Sequence, residues 1–126
     1  MHTIDAGIID DDLSVRKGIS RLLRSEGLSS ESFASAEEFL GSDRMYHCRC
    51  LIVDLQLSGM DGLELMRTLR HMGHRRPIVF ITAHEESIPQ GARDVTGPVV
   101  CLRKPFQAKS LLDWMCWAVE RPCTAN

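Results

Sequence analysis

Asp54 closes the apolar run Cys50-Leu51-Ile52-Val53, and Asp10, Asp11 and Asp12 close a second run that begins at Ile4. A third run, Ile78-Val79-Phe80-Ile81, ends on Thr82, and a fourth, Val99-Val100-Cys101-Leu102, ends on Arg103-Lys104-Pro105. Short apolar runs bounded by turn residues read as buried strands of a parallel sheet. If all run parallel, their carboxyl ends bring Asp10, Asp11, Asp54, Thr82 and Lys104 to one edge, where open α/β sheets place their ligand sites. Carboxylates gathered there repel: two unit charges at about 4 Å cost roughly 4 kcal/mol at an effective dielectric of 20. A cation, a lysine or raised pKa values must offset that repulsion. Hard oxygen donors suit Mg²⁺, Lys104 supplies a positive point charge, and Thr82 a small hydrogen-bond donor. That is equipment for accepting a phosphoryl group, with Asp54 as nucleophile and Asp10 and Asp11 holding the metal.

The elements that must position these groups follow from the patterning. Ile4 to Asp10 reads as a strand, and Leu13 to Leu23 as an amphipathic helix with Val15, Ile19, Leu22 and Leu23 inward and a basic outer face. Asp12 or the acids before it can cap that helix, and Gly27 ends it. Ser30–Phe33 is a brief strand, and Ser35–Leu40 a short helix with Ser35 and Glu38 spaced as a capping box. His47–Asp54 is the central strand, followed by a helix over Asp61–Arg70, a strand over Ile78–Thr82, and a strand over Val99–Leu102. The last helix carries Leu111, Leu112, Met115, Ala118 and Val119 inward and runs to about Arg121. Strand and helix alternate five times, which predicts an α/β fold: a doubly wound, five-stranded parallel sheet with helices on both faces. Between Thr82 and Val99, where a fourth helix is due, Pro89, Gly91, Gly97 and Pro98 predict a short or irregular one.

Composition narrows the class. The 126 residues are 44% hydrophobic and 25% charged, with a net charge of −2, so one domain spanning residues 1–126 is expected. That charge gives no general pull toward nucleic acid or anionic membrane. No apolar run approaches the roughly 18 to 20 residues that span a bilayer, and a cytoplasmic location is expected. The five cysteines are odd in number and read as free thiols, with Cys48 and Cys50 on one face of their strand and His47 on the other. His84 reads as a solvated loop histidine rather than a second base. Trp117 falls on the outer face of the last helix with Ser110, Asp113 and Arg121, a candidate partner or dimer surface, while Trp114 falls at the core margin.

Taken together, Ile-Ile-Asp10-Asp11-Asp12, Val53-Asp54-Leu55-Gln56-Leu57 with Gly59 and Gly62-Leu63-Glu64-Leu65, Phe80-Ile81-Thr82-Ala83-His84, and Arg103-Lys104-Pro105-Phe106 resemble a bacterial response-regulator receiver domain. The superfamily is the CheY-like one, and the chain is most similar to FixJ-type receivers. The resemblance implies sheet order 2-1-3-4-5, with Asp54 as phosphoacceptor and a sensor histidine kinase as donor. It implies that Asp11 and Asp54 ligate Mg²⁺ through side chains, Gln56 through its backbone carbonyl, and Asp10 largely through water. Thr82 and Lys104 would bind the phosphoryl oxygens, and the Lys104-Pro105 bond would be cis. A homodimer or effector would dock on the fourth helix, fifth strand and fifth helix, including Trp117.

The chain departs from the family pattern at three places. Cys101 stands where Tyr or Phe is usual, Pro98 and its neighbouring glycines alter the fourth-helix segment, and Ser58 replaces a frequent Pro. The leading expectation is a phosphorylation-controlled switch that catalyses only its own phosphorylation and dephosphorylation. A receiver-like adaptor that signals without phosphorylation is the alternative. A Mg²⁺-dependent phosphatase with an aspartyl intermediate would usually carry a second acid two residues after the nucleophile, and here that residue is Gln56. No DNA-binding segment is expected in the residues after Arg121, and a stand-alone receiver is favoured over an excised piece of a longer regulator.

Overall fold

The computed structural model describes residues 3–83 and 99–119. Five strands form one sheet: β1 (Ile4–Ile9), β2 (Ser30–Phe33), β3 (Cys48–Asp54), β4 (Ile78–Thr82) and β5 (Val99–Arg103). Every neighbouring pair is parallel, as the alternation of strand and helix predicts, and the order is β2-β1-β3-β4-β5, as the resemblance implies. Among the described residues four helices cover it: α1 (Leu13–Ser25), α2 (Ala36–Gly41), α3 (Gly62–His71) and the last one, α4 (Ala108–Ala118). The fourth helix expected between Thr82 and Val99, together with His84 and Pro98, falls outside the described residues.

Each strand alternates its side chains between two cores. Leu51, Val53, Ile78 and Phe80 pack with Phe39 of α2 and Leu65, Met66 and Leu69 of α3. Ile8, Ile52, Val79 and Ile81 pack with Ile19 and Leu23 of α1 and Leu111 and Met115 of α4. Burial on both faces is why β4 carries no polar residue before its last position. Each fully buried Ile or Phe contributes about 1.5–3 kcal/mol, and this holds the strand ends at fixed positions.

The helix starts are set by side-chain caps. Asp12 Oδ1 accepts from the Ser14 N–H at 2.9 Å, Ser35 Oγ from Glu38 at 3.0 Å, and Asp61 Oδ1 from Glu64 at 2.8 Å. The reciprocal arm of the expected capping box is displaced by one residue, because Glu38 Oε2 accepts from the Ala34 N–H.

Two expectations for β3 are corrected. The strand begins at Cys48, and His47 instead closes a 3-10 turn over Arg44–Tyr46 by donating its N–H to the Arg44 carbonyl. The thiols of Cys48 and Cys50 also do not share a face. Cys48 packs in the α2/α3 core, whereas Cys50 Sγ lies 3.4 Å from Met115 Sδ in the α1/α4 core. Regular alternation starts only at Cys50, because Cys48 leaves the 3-10 turn before the pleat is established. Burial pushes the Cys48 thiol up to about 12 and the Cys50 thiol in the same direction, so both stay protonated. Cys48, Cys50, Cys101 and Cys116 form no disulfide among the described residues, and Cys123 lies outside the described residues.

Candidate functional site

Strand register sets the site. Ile9 pairs with Val53, Asp54 with Ile81, and Thr82 with Arg103. Asp10 therefore leaves β1 beside Asp54, and Lys104 leaves β5 beside Thr82. Among the described residues, the buried polar side chains are Asp10, Asp54 and Thr82. A core that excludes polar groups elsewhere accepts three at one edge, which marks that edge as built for chemistry rather than for packing.

Each carboxylate is oriented by the chain around it. Asp54 Oδ1 accepts from the Gln56 N–H at 3.0 Å, and Asp10 Oδ1 from the Asp12 N–H at 2.9 Å. Asp11, which is exposed, accepts from Ser58 Oγ at 3.2 Å. Lys104 Nζ sits 3.3 Å from Asp10 Oδ2 and 3.4 Å from Asp54 Oδ2, bridging the two buried acids. Its backbone is fixed by donation of the Lys104 N–H to the Thr82 carbonyl at 2.7 Å, and the Lys104–Pro105 peptide is cis, as the resemblance implies.

The electrostatics follow from this crowding. Burial pushes the Asp10 carboxyl above its ordinary value, and the charge of Asp54 pushes the same way, while the Asp12 amide and Lys104 pull against them. Burial would lower the Lys104 ammonium, but Asp10 and Asp54 outweigh it and hold the lysine above its usual value. One oxygen each from Asp10, Asp11 and Asp54 lie within 4.8 Å of one another. Three hard oxygen donors at that spacing, beside an open side, fit Mg²⁺.

The lip of the site is shaped by two glycines of the family pattern and by contacts of Glu37, Arg16 and Ser58 that the sequence did not announce. Gly59 has φ +75°, and the next amide, Met60 N–H, donates to Glu37 Oε2 of α2 at 3.1 Å. That hydrogen bond holds the Glu37 carboxyl below its ordinary value. A Cβ on Gly62 would lie 2.6 Å from the Asp54 carbonyl oxygen and 3.0 Å from Leu55 Cα, so only glycine lets α3 start this close to the strand end. Arg16 of α1 donates to the Asp10 carbonyl. The Ser58–Asp11 contact was hidden because Ser58 registered only as a missing proline. The sole signal for Glu37 was an acid in the first turn of a short helix.

A doubly wound sheet of order 2-1-3-4-5 with acids, a threonine and a lysine at its carboxyl edge defines a CheY-like α/β domain. The model of the response regulator receiver domain family matches residues 7–115, and the chain belongs to that family. It is 41% identical over 106 residues to the response regulator protein TodT of Pseudomonas putida, covering 83% of this chain and 46% of that protein. It is 31% identical over 117 residues to the transcriptional regulatory protein FixJ of Azorhizobium caulinodans, covering 88% of this chain and 53% of FixJ. Among solved structures it resembles the response regulator StyR at 40% identity with a TM-score of 0.82, over 91% of this chain and 58% of StyR. The chain spans about half the length of the curated relatives it matches. As a receiver domain it is of the signalling class, a switch rather than a conventional enzyme. Among the described residues no helix is long and apolar enough to cross a membrane.

Proposed function

We propose that Asp54 accepts a phosphoryl group from the phosphohistidine of a sensor histidine kinase, and that this switches a partner or dimer surface of a cytoplasmic receiver domain. The observation that carries the reading is the Asp54 carboxylate itself, buried at a strand end yet held between the Gln56 N–H and the Lys104 ammonium. In the transfer, an Asp54 carboxylate oxygen attacks phosphorus, the donor's P–N bond breaks, and an aspartyl phosphate and a free imidazole result. Asp10, Asp11, Asp54 and the Gln56 backbone carbonyl would hold Mg²⁺, which when bound neutralises charge on the transferring oxygens. Lys104 is already between the acids and needs only a short movement to meet a phosphoryl oxygen, while Thr82, one residue past the partner of Asp54, offers its hydroxyl. The phosphorylated side chain carries about −2 of charge where the carboxylate carried −1, with three acceptor oxygens, enough to reorder the loops carrying those two residues.

The test is incubation with Mg²⁺ and acetyl phosphate followed by intact mass. Wild type is expected to gain one phosphoryl group and Asp54→Asn none. Equal gain by both would overturn the assignment. Cys101 supports a second reading, an adaptor that signals without phosphorylation. It pairs with Phe80 at a half-buried position, and a thiol there cannot swing as an aromatic ring would. Normal phosphorylation with no change in oligomeric state or partner affinity would favour that reading.

A further inference from the structure

At the opposite, amino-terminal edge of the sheet the chain collects positive charge that the acid site does not use. Arg49 is the second residue of β3, Arg75 and Arg76 lead into β4, and the end of α4 closes the far side with Ala118 and Val119. With Pro77 these residues line a cavity of about 330 Å³, and among the described residues no carboxylate lines it. The frame is fixed by hydrogen bonds. Arg49 Nη1 donates to the Val119 carbonyl at 3.1 Å, and the Pro77 carbonyl accepts from the Leu51 N–H at 3.0 Å. Behind the rim, Arg70 Nη1 donates to the carbonyls of His74 and Arg76 at 2.9 and 3.0 Å, tying the loop down from below.

Among the described residues, neither the Arg44–Glu31 ion pair nor those of Lys104 with Asp10 and Asp54 reach Arg49, Arg75 or Arg76. The neighbours register the field. Burial and then the charge of Arg75 push the Arg70 guanidinium down, and burial with Arg76 and Arg70 pushes the His74 imidazole down. Like charges crowd here, and an anion seated in the cavity would relieve them.

We propose that this cavity binds a small phosphate monoester, its dianionic head on Arg49, Arg75 and Arg76 and its ester stem along Pro77, Ala118 and Val119. Each guanidinium presents a planar fork of N–H donors that matches a tetrahedral oxyanion, and Arg49 is held in place before the ligand arrives. The volume suits a compact ligand. A nucleic-acid strand would need a basic stripe along the surface, and an acidic peptide a longer groove. The site lies at the amino ends of β3 and β4, whose other ends carry Asp54 and Thr82, and it does not depend on the phosphoacceptor reading.

The test uses the full ¹⁵N-labelled chain in EDTA, titrated with inorganic phosphate, with glycerol 3-phosphate, and with chloride at matched ionic strength. Saturable shifts below about 1 mM are expected at the amides of Arg49, Arg76 and Val119, with the ester binding at least as tightly as the free ion. The double variant Arg75→Gln/Arg76→Gln changes two exposed side chains, and the same spectrum verifies its fold. It is expected to weaken the ester by about tenfold or more. Shifts confined to Asp54, Thr82 and Lys104, a drift that chloride reproduces, or tighter binding of a hexaglutamate peptide would each overturn the proposal.

Discussion

Asp54 has one oxygen on the Gln56 amide and the other on Lys104, so its two oxygens are chemically distinct before any donor arrives. Asp54→Asn keeps the size and the amide contact but removes the nucleophilic charge, and the phosphoryl mass gain is expected to vanish without loss of fold. Asp11 is held differently. It is exposed, and it is oriented by its contact with Ser58 Oγ at 3.2 Å. Ser58→Ala releases that carboxylate at a cost of about 0.5–1 kcal/mol, the net worth of one such bond. Titration calorimetry with MgCl₂ is expected to show Mg²⁺ binding weakened about two- to fivefold, with the melting temperature lowered by no more than about 5 °C. Unaltered Mg²⁺ affinity would mean that Ser58 only decorates the loop.

Helix placement controls how close the loops come to Asp54, and two glycines separate close approach from mere permissiveness. Gly62 starts α3 against the backbone of Asp54 and Leu55, whereas nothing lies within 4 Å of a Cβ added to Gly18 in the exposed middle of α1. Gly62→Ala is expected to destabilise by about 1–3 kcal/mol in urea unfolding, because backbone must shift to admit the methyl. Gly18→Ala is expected to stabilise by about 0.5–1 kcal/mol, since only the freedom of the unfolded chain changes. At the other edge, His74 has its pKa lowered by burial and by Arg76 and Arg70. The unfolded chain then binds more protons than the fold just below the ordinary value of 6.5. Stability is therefore full above that pH and falls as pH drops toward the folded value. Thermal melts between pH 7.5 and 5.5 are expected to show that loss, and His74→Gln to reduce it. The elements themselves were legible because runs such as Ile78–Thr82 end abruptly on a polar group, and β2 and β4 begin and end where the sequence places them. Cys48 was misplaced because a residue leaving a 3-10 turn does not yet obey the period of two. Ser58 on Asp11 and Glu37 on Met60 were invisible because they join loops distant in the chain, with no periodicity to announce them.

On the scale of the molecule, the parallel sheet separates two kinds of charge: acids gathered at the carboxyl edge, arginines at the amino edge. The first was readable because each acid ends its own apolar run. The second was not, since its lining comes from β3, the approach to β4 and the end of α4, and only the fold brings them together. Between the edges runs a path by which a phosphoryl group could act on a partner. Lys104 leads within three residues to Gln107, the N-terminal flank of α4, and α4 is a single helix of 11 residues, about 16 Å long. Its core face is anchored by Leu111 and Met115, both fully buried, so movement at its start is carried along its length. Near its far end Trp117 is 59% exposed, beside the exposed Asp113. A large aromatic ring left in water is what a hot spot in an unformed interface looks like. If Trp117 anchors a second copy or an effector, phosphorylation is expected to raise the apparent mass in size-exclusion chromatography, and Trp117→Ala to weaken that association about thirtyfold or more. The variant must still gain one phosphoryl group, because nothing in the site touches the ring. Loss of acceptance along with association would place Trp117 in the fold rather than at its surface, and association unaffected by the variant would move the interface away from α4.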